Sequence, residues 1–146
     1  MTLITIPIRL KNEANSNKHW SKKVKDHQTQ KMLVRAFMPS KPPSPPCIVL
    51  LTRHAPRPFD SDNLQMAFKW IRDELAGILL HHADGSRVDN DYRIQWHYAQ
   101  KKTIDKEYFI TIEIEPVPSF QPVAPFCPVY TLDSSKPSND QFLLAE

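Results

Sequence analysis

The sequence predicts an α+β domain with the element order β-α-β-α-β-β, a mixed sheet packed with two helices, followed by a disordered, proline-rich tail. Three observations carry this. Apolar residues alternate with polar ones at both ends of the first 116 residues, the mark of half-buried strands. Between them lies a segment whose apolar residues recur every three or four positions, the mark of a helix with one buried face. After Glu115 no period survives, and residues 116–146 hold six of the 14 prolines. The folded domain is therefore expected over residues 1–116 and the tail over 117–146.

The first strand is read at Thr2–Leu10, with Ile4, Ile6, Ile8 and Leu10 on one side. Pro7 cannot donate to a ladder, so this strand belongs at an edge. Lys18 to Met38 is read as a moderately amphipathic helix, with Trp20, Val24, Met32 and Phe37 as its apolar residues. Pro39, Pro42, Pro43, Pro45 and Pro46 end it. Cys47–Leu51 is a short apolar run that suits a buried strand, and Arg53–Pro58 a proline-stiffened loop. The clearest helix follows: Leu64, Phe68, Ile71, Leu75, Ile78 and Leu79 fall on one face, and Asp60, Ser61 or Asp62 can cap its start. A polar connection from His81 to Asn90 contains the turn pair Asp84-Gly85. Asp91–Gln100 and Glu107–Glu115 alternate again and read as an antiparallel pair joined around Lys101–Asp105.

Composition removes several classes. The chain has 146 residues, 40% apolar and 24% charged, an ordinary globular profile. No apolar run approaches the roughly 18 residues of a membrane span. The first ten residues lack the pattern of a secretory signal, and Cys47 and Cys127 stand far apart with no CxxC partner. A reducing cytoplasm is the expected location. Two glycines cannot build a glycine-rich phosphate loop. Net charge is +3, but residues 1–40 hold eight Lys/Arg against Glu13 and Asp26. Such a basic front suits a polyanion such as nucleic acid, and equally a solvated helix face.

The chemistry-bearing candidates are acidic. Asp60-Ser61-Asp62-Asn63 sets two carboxylates two residues apart where a loop meets a helix, and the helix dipole and N–H groups offset part of their repulsion. The same residues also serve as ordinary helix caps. Asp89-Asn90-Asp91 precedes the next strand. If that strand lies beside the helix start, three carboxylates converge, and a hard cation such as Mg²⁺ or Mn²⁺ suits them. That is the equipment of a metal-dependent phosphodiesterase.

The run from Arg53 through Phe59-Asp60-Ser61-Asp62-Asn63-Leu64, then Ala67-Phe68-Lys69 with Arg72-Asp73, then Asp89-Asn90-Asp91-Tyr92-Arg93-Ile94-Gln95-Trp96, resembles the RusA family of Holliday junction resolvases. Trp20 among its basic neighbours also resembles that family's N-terminal helix, and the likeness spans roughly residues 4–115. It implies a homodimeric, Mg²⁺-dependent endonuclease that cuts branched DNA, four-way junctions, at paired positions. Asp60 and Asp62 match the metal-site aspartates, with Asp91 as the third and Asp89 as its alternative. The family's lysine four residues after the second aspartate is Met66 here, and Lys69 stands in for it. The Asp62–Asp91 link is about ten residues longer than in shorter members. Lys18, Lys22, Lys23 and Lys25 on the basic helix are the expected DNA-backbone contacts, and Arg53 and Arg57 in the loop before the acidic pair suit the same role and equally that of solvated loop charges.

Overall fold

A computed structural model describes residues 1–12, 17–81 and 91–118. The elements are β1 (Thr2–Ile6), α1 (Trp20–Phe37), β2 (Cys47–Ala55), α2 (Ser61–Ala67), α3 (Lys69–Leu79), β3 (Ile94–Lys102) and β4 (Phe109–Pro116). The fold class is the α+β mixed sheet that the sequence predicts, with three helices in place of two. The tail from residue 119 on lies outside the described residues.

The sheet order is β1-β4-β2-β3. β4 runs antiparallel to both β1 and β2, and β3 runs parallel to β2. Strands β1, β2 and β3 therefore point the same way, and β4 alone is reversed. The expected β3–β4 hairpin is not formed. β4 slots between β1 and β2, where Ile110, Ile112 and Ile114 are fully buried, while β3 takes the outer edge. An isoleucine triplet gains most from a position flanked on both sides, whereas the Lys101-Lys102 end of β3 suits an edge.

One face of the sheet carries the core. Ile4, Ile6, Val49, Leu51, Ile94, Ile110, Ile112 and Ile114 pack against Val34, Leu64, Phe68, Ile71, Leu75 and Leu79 from the helices. The single helix expected across this region is broken at Phe68. Its N–H is shared between the carbonyls of Leu64 and Gln65, its ψ is −4°, and α3 starts at the next residue. Tightening the turn there sends the Phe68 ring into the core, fully buried against Tyr98.

Helix α1 buries a face other than the expected one. Trp20 and Met32 are 70% and 69% exposed, and Val24 and Phe37 are also exposed. The buried residues are Val34 and Gln30. Apolar residues are spread around this helix, so its orientation is set by partners on α3. His27 stacks on Trp70 at 4.0 Å, and Arg35 pairs with the buried Glu74. Among the described residues no helix is long and apolar enough to cross a membrane.

Candidate functional site

Strand β2 runs four residues beyond the apolar block and delivers the chain to α2 through a short braced loop. Arg53 and His54, expected in that loop, are strand residues. Arg53 shares the inward face with Val49 and Leu51 and is only 5% exposed. Its Nη1 donates to the Arg57 carbonyl at 2.8 Å, and its guanidinium lies 3.6 Å from the centre of the Phe59 ring. It is thus packed beneath the loop rather than presented to a phosphate. Burial pushes its pKa down, the nearby Tyr108 opposes this, and Arg9 adds to it.

From β3, Gln100 closes the other side. Its Oε1 accepts from the Phe59 N–H at 2.9 Å and its Nε2 donates to the Phe59 carbonyl at 2.7 Å. Asp60 follows directly as the residue that caps α2, with extended backbone (φ −66°, ψ 157°) and no side-chain capping bond. Asp62 lies in the first turn, and both aspartates are exposed. Two carboxylates, neither spent on capping, therefore stand at the end of a loop held from below by Arg53 and from the side by Gln100.

Asp91 does not join them. In the parallel β2–β3 register Cys47 pairs with Ile94 and Ala55 with Lys102. Asp91 sits just before Ile94, at the end of the sheet where β2 begins, and the Cys47 N–H donates to the Arg93 carbonyl at 2.9 Å there. Asp60 sits beyond the opposite end, next to Gln100. The six-residue rise from Ile94 to Gln100 amounts to about 20 Å of strand. The Asp91 carboxylate is also engaged locally, accepting from Arg93 Nε at 3.0 Å and Nη2 at 2.7 Å. The expected Asp60–Asp62–Asp91 cluster is thus corrected to a pair. Among the described residues no group of three or more His, Cys, Asp or Glu is placed to hold a metal ion. Asp89 lies outside the described residues.

Lys69 begins α3, and its Nζ lies 5.2 Å from the centre of the Trp70 ring. Because the helix breaks at Phe68, Asp62 and Lys69 do not share one continuous helical face. Trp96 and Tyr98 are partly buried and pack against the core.

The basic residues divide into groups. Lys18 bonds Asp26 at 3.0 Å, and Lys11 approaches the same carboxylate at 4.0 Å. The Lys18 bond is the main reason that Asp26 is held below the usual carboxylate range, against a smaller opposing effect of burial. Lys22 and Lys25 are exposed on α1, and Arg57 is exposed in the braced loop. Lys18, Lys23, Arg9 and Lys11 line a cleft of about 600 Å³ between α1 and the chain leaving β1. That cleft is at the same end of the sheet as the acidic pair. Ile6 at the end of β1 pairs with Ile110, and Ile110 pairs in turn with Arg53. Residues 7–12 and residues 56–62 thus leave the same end of the sheet, with β4 between β1 and β2, beyond the ends of strands that run the same way, the place where open sheets with parallel strands commonly bind ligands.

Sequence reading missed Gln100 and Arg9. Gln100 carried a signal: it follows Trp96 and Tyr98 at period two, so a polar residue was due on an inward face. Arg9 gave none, since its ring partner, Tyr108 at 4.4 Å, is remote in sequence. No protein-family model, curated protein or solved structure matches the chain.

Proposed function

We propose that the protein is a Mg²⁺-dependent, structure-selective endodeoxyribonuclease of the RusA type that resolves four-way DNA junctions by paired phosphodiester hydrolysis. The observation that carries this reading is that an exposed carboxylate pair, Asp60 and Asp62, and a basic cleft lie at one end of the sheet. A polyanion held by the cleft runs towards the carboxylates. The donor set suits a hard cation: Mg²⁺ is commonly bound by one or two carboxylates, with waters and substrate phosphate oxygens completing its octahedron, and Mn²⁺ accepts the same ligands. Asp60 and Asp62 would hold the ion, which supplies charge neutralisation and an activated water when bound. The chain's own part is to fix those carboxylates, through Arg53 beneath Phe59 and Gln100 beside it, and to hold the DNA backbone through its basic residues. Paired cutting calls for two sites related by the junction's own twofold symmetry, hence a homodimer.

A second reading is a non-catalytic junction-binding protein of the same fold. It is favoured by Met66, which stands at the position where the resemblance calls for lysine. The deciding experiment is incubation of the protein with a synthetic four-way junction in Mg²⁺ and in EDTA. Symmetric nicked products in Mg²⁺ alone support the nuclease. Tight binding with no product in Mg²⁺ or Mn²⁺ replaces it with the binder.

A further inference from the structure

Among the described residues, the cleft beside β1 is lined by four cationic side chains, Arg9, Lys11, Lys18 and Lys23, and one carboxylate, Asp26. Lys11 and Lys18 both reach the carboxylate of Asp26. Arg9 and Lys23 line the same space and have no carboxylate within ion-pair distance among the described residues. Arg9 is held in place by its contact with the Tyr108 ring. At the floor lies Gln30, 8% exposed, whose Oε1 is buried with no hydrogen-bond partner among the described residues. A buried amide oxygen without a partner is costly, and turning the amide over puts the Nε2 donor in its place. The cleft's 600 Å³ is in the range of small-ligand sites, enough for a nucleotide unit and not only a bare ion.

We propose that this cleft is a phosphate seat, in which Arg9, Lys11 and Lys23 surround one phosphodiester of a nucleic-acid backbone and the Gln30 amide donates to it. The inference rests on the DNA reading above and adds to it a located contact that anchors the backbone on the side of the sheet end away from Asp60. Cations confer affinity here without reading sequence, so the seat fixes register and leaves base choice to other groups.

The test uses the full chain labelled with ¹⁵N, titrated with a short DNA duplex and separately with inorganic phosphate. DNA is expected to shift the Gln30 side-chain amide and the backbone amides of Arg9 and Lys23. Shifts with inorganic phosphate alone would overturn the nucleic-acid assignment, and no shift with either would overturn the site. In parallel, Arg9→Gln and Lys23→Gln are expected to weaken duplex binding and to flatten its dependence on the logarithm of salt concentration by about one unit of slope each. Lys41→Gln, in the proline segment before β2 at the other end of the sheet, is expected to change neither. Gln30→Leu keeps the packing volume and should also weaken binding. Unchanged affinity and slope in Arg9→Gln and Lys23→Gln would defeat the proposal. The two readings fail separately: a protein that binds DNA through this cleft and never cuts a junction loses the nuclease and keeps the seat.

Discussion

Gln100 holds Phe59 by both ends of its peptide, accepting from its N–H at 2.9 Å and donating to its carbonyl at 2.7 Å. The Gln100 side chain thus ties the chain that follows β2 back to β3, near the end where both strands stop at the Ala55–Lys102 pair. Removing the amide leaves two part-buried backbone groups without partners. Gln100→Leu, of similar size, is expected to cost about 1–3 kcal/mol in denaturant unfolding. The Phe59 amide should also exchange with solvent markedly faster in this variant. An unchanged exchange rate at Phe59 would show that the clamp is not closed in solution.

Asp62 and Asp91 separate the sequence expectation from the geometry. Under the proposed function, Asp60→Asn or Asp62→Asn should reduce Mg²⁺-dependent junction cleavage by about a hundredfold or more, since each removes a charge worth several kcal/mol at the reacting phosphate. Junction binding should persist or tighten as repulsion falls. Asp91→Asn, at the other end of β3 and paired with Arg93, should leave cleavage within a few-fold. Loss of cleavage in Asp91→Asn with normal folding would contradict the assignment to one end of one chain.

Much of this fold was legible because it is written in local periods. The isoleucines of β1 and β4 announce their faces by alternation, and Leu64 to Leu79 announce theirs by helical spacing. Pairing was not legible, because alternation says which face is buried and nothing about which strand lies alongside. Alternation alone therefore suggests that β3 and β4 pair with each other, whereas in the fold β2 lies between them. The site failed at the same point. Asp60 and Asp62 are two residues apart, so the backbone guarantees their nearness, whereas Asp91 depended on strand direction. A β3 parallel to β2 must start at the far end, and its aspartates start there with it. Helix α1 shows the remaining limit: Trp20 is more apolar than Gln30, yet Gln30 is the buried one, because contacts with α3 orient the helix.

Cys47 tests the core from the inside. It is fully buried at the start of β2, and burial pushes its thiol up to about 11. The thiolate is the reactive form, so near pH 8 only about one thiol in a thousand is poised to react, before access is considered. In a Cys127→Ser background, Cys47 should be inert to a thiol reagent such as Ellman's in the native protein. It should react fully once guanidinium unfolds the chain. Rapid labelling of the native protein would mean that the Cys47 end of the sheet opens readily.

His54 predicts how stability follows pH. Its ring stacks on Phe109 at 4.1 Å, and its Nε2 lies 3.2 Å from the Thr111 hydroxyl. Burial lowers its pKa, Lys101 adds to the effect, and Glu113 partly opposes it. The folded protein therefore prefers the neutral ring. Below the ordinary histidine value of about 6.5 the unfolded chain takes up a proton that the folded chain refuses, so stability falls as pH drops from there towards the folded value and levels off below it. Above that range His54 makes no difference to the pH dependence. His54→Gln keeps a hydrogen-bonding group near Thr111 and removes the titration. Comparing unfolding free energies at about pH 7.5 and about pH 5, the native sequence should lose more stability than the variant. Equal losses in the two proteins would show that His54 titrates no differently folded than unfolded, and would remove the burial of its ring from the account of the sheet's outer face.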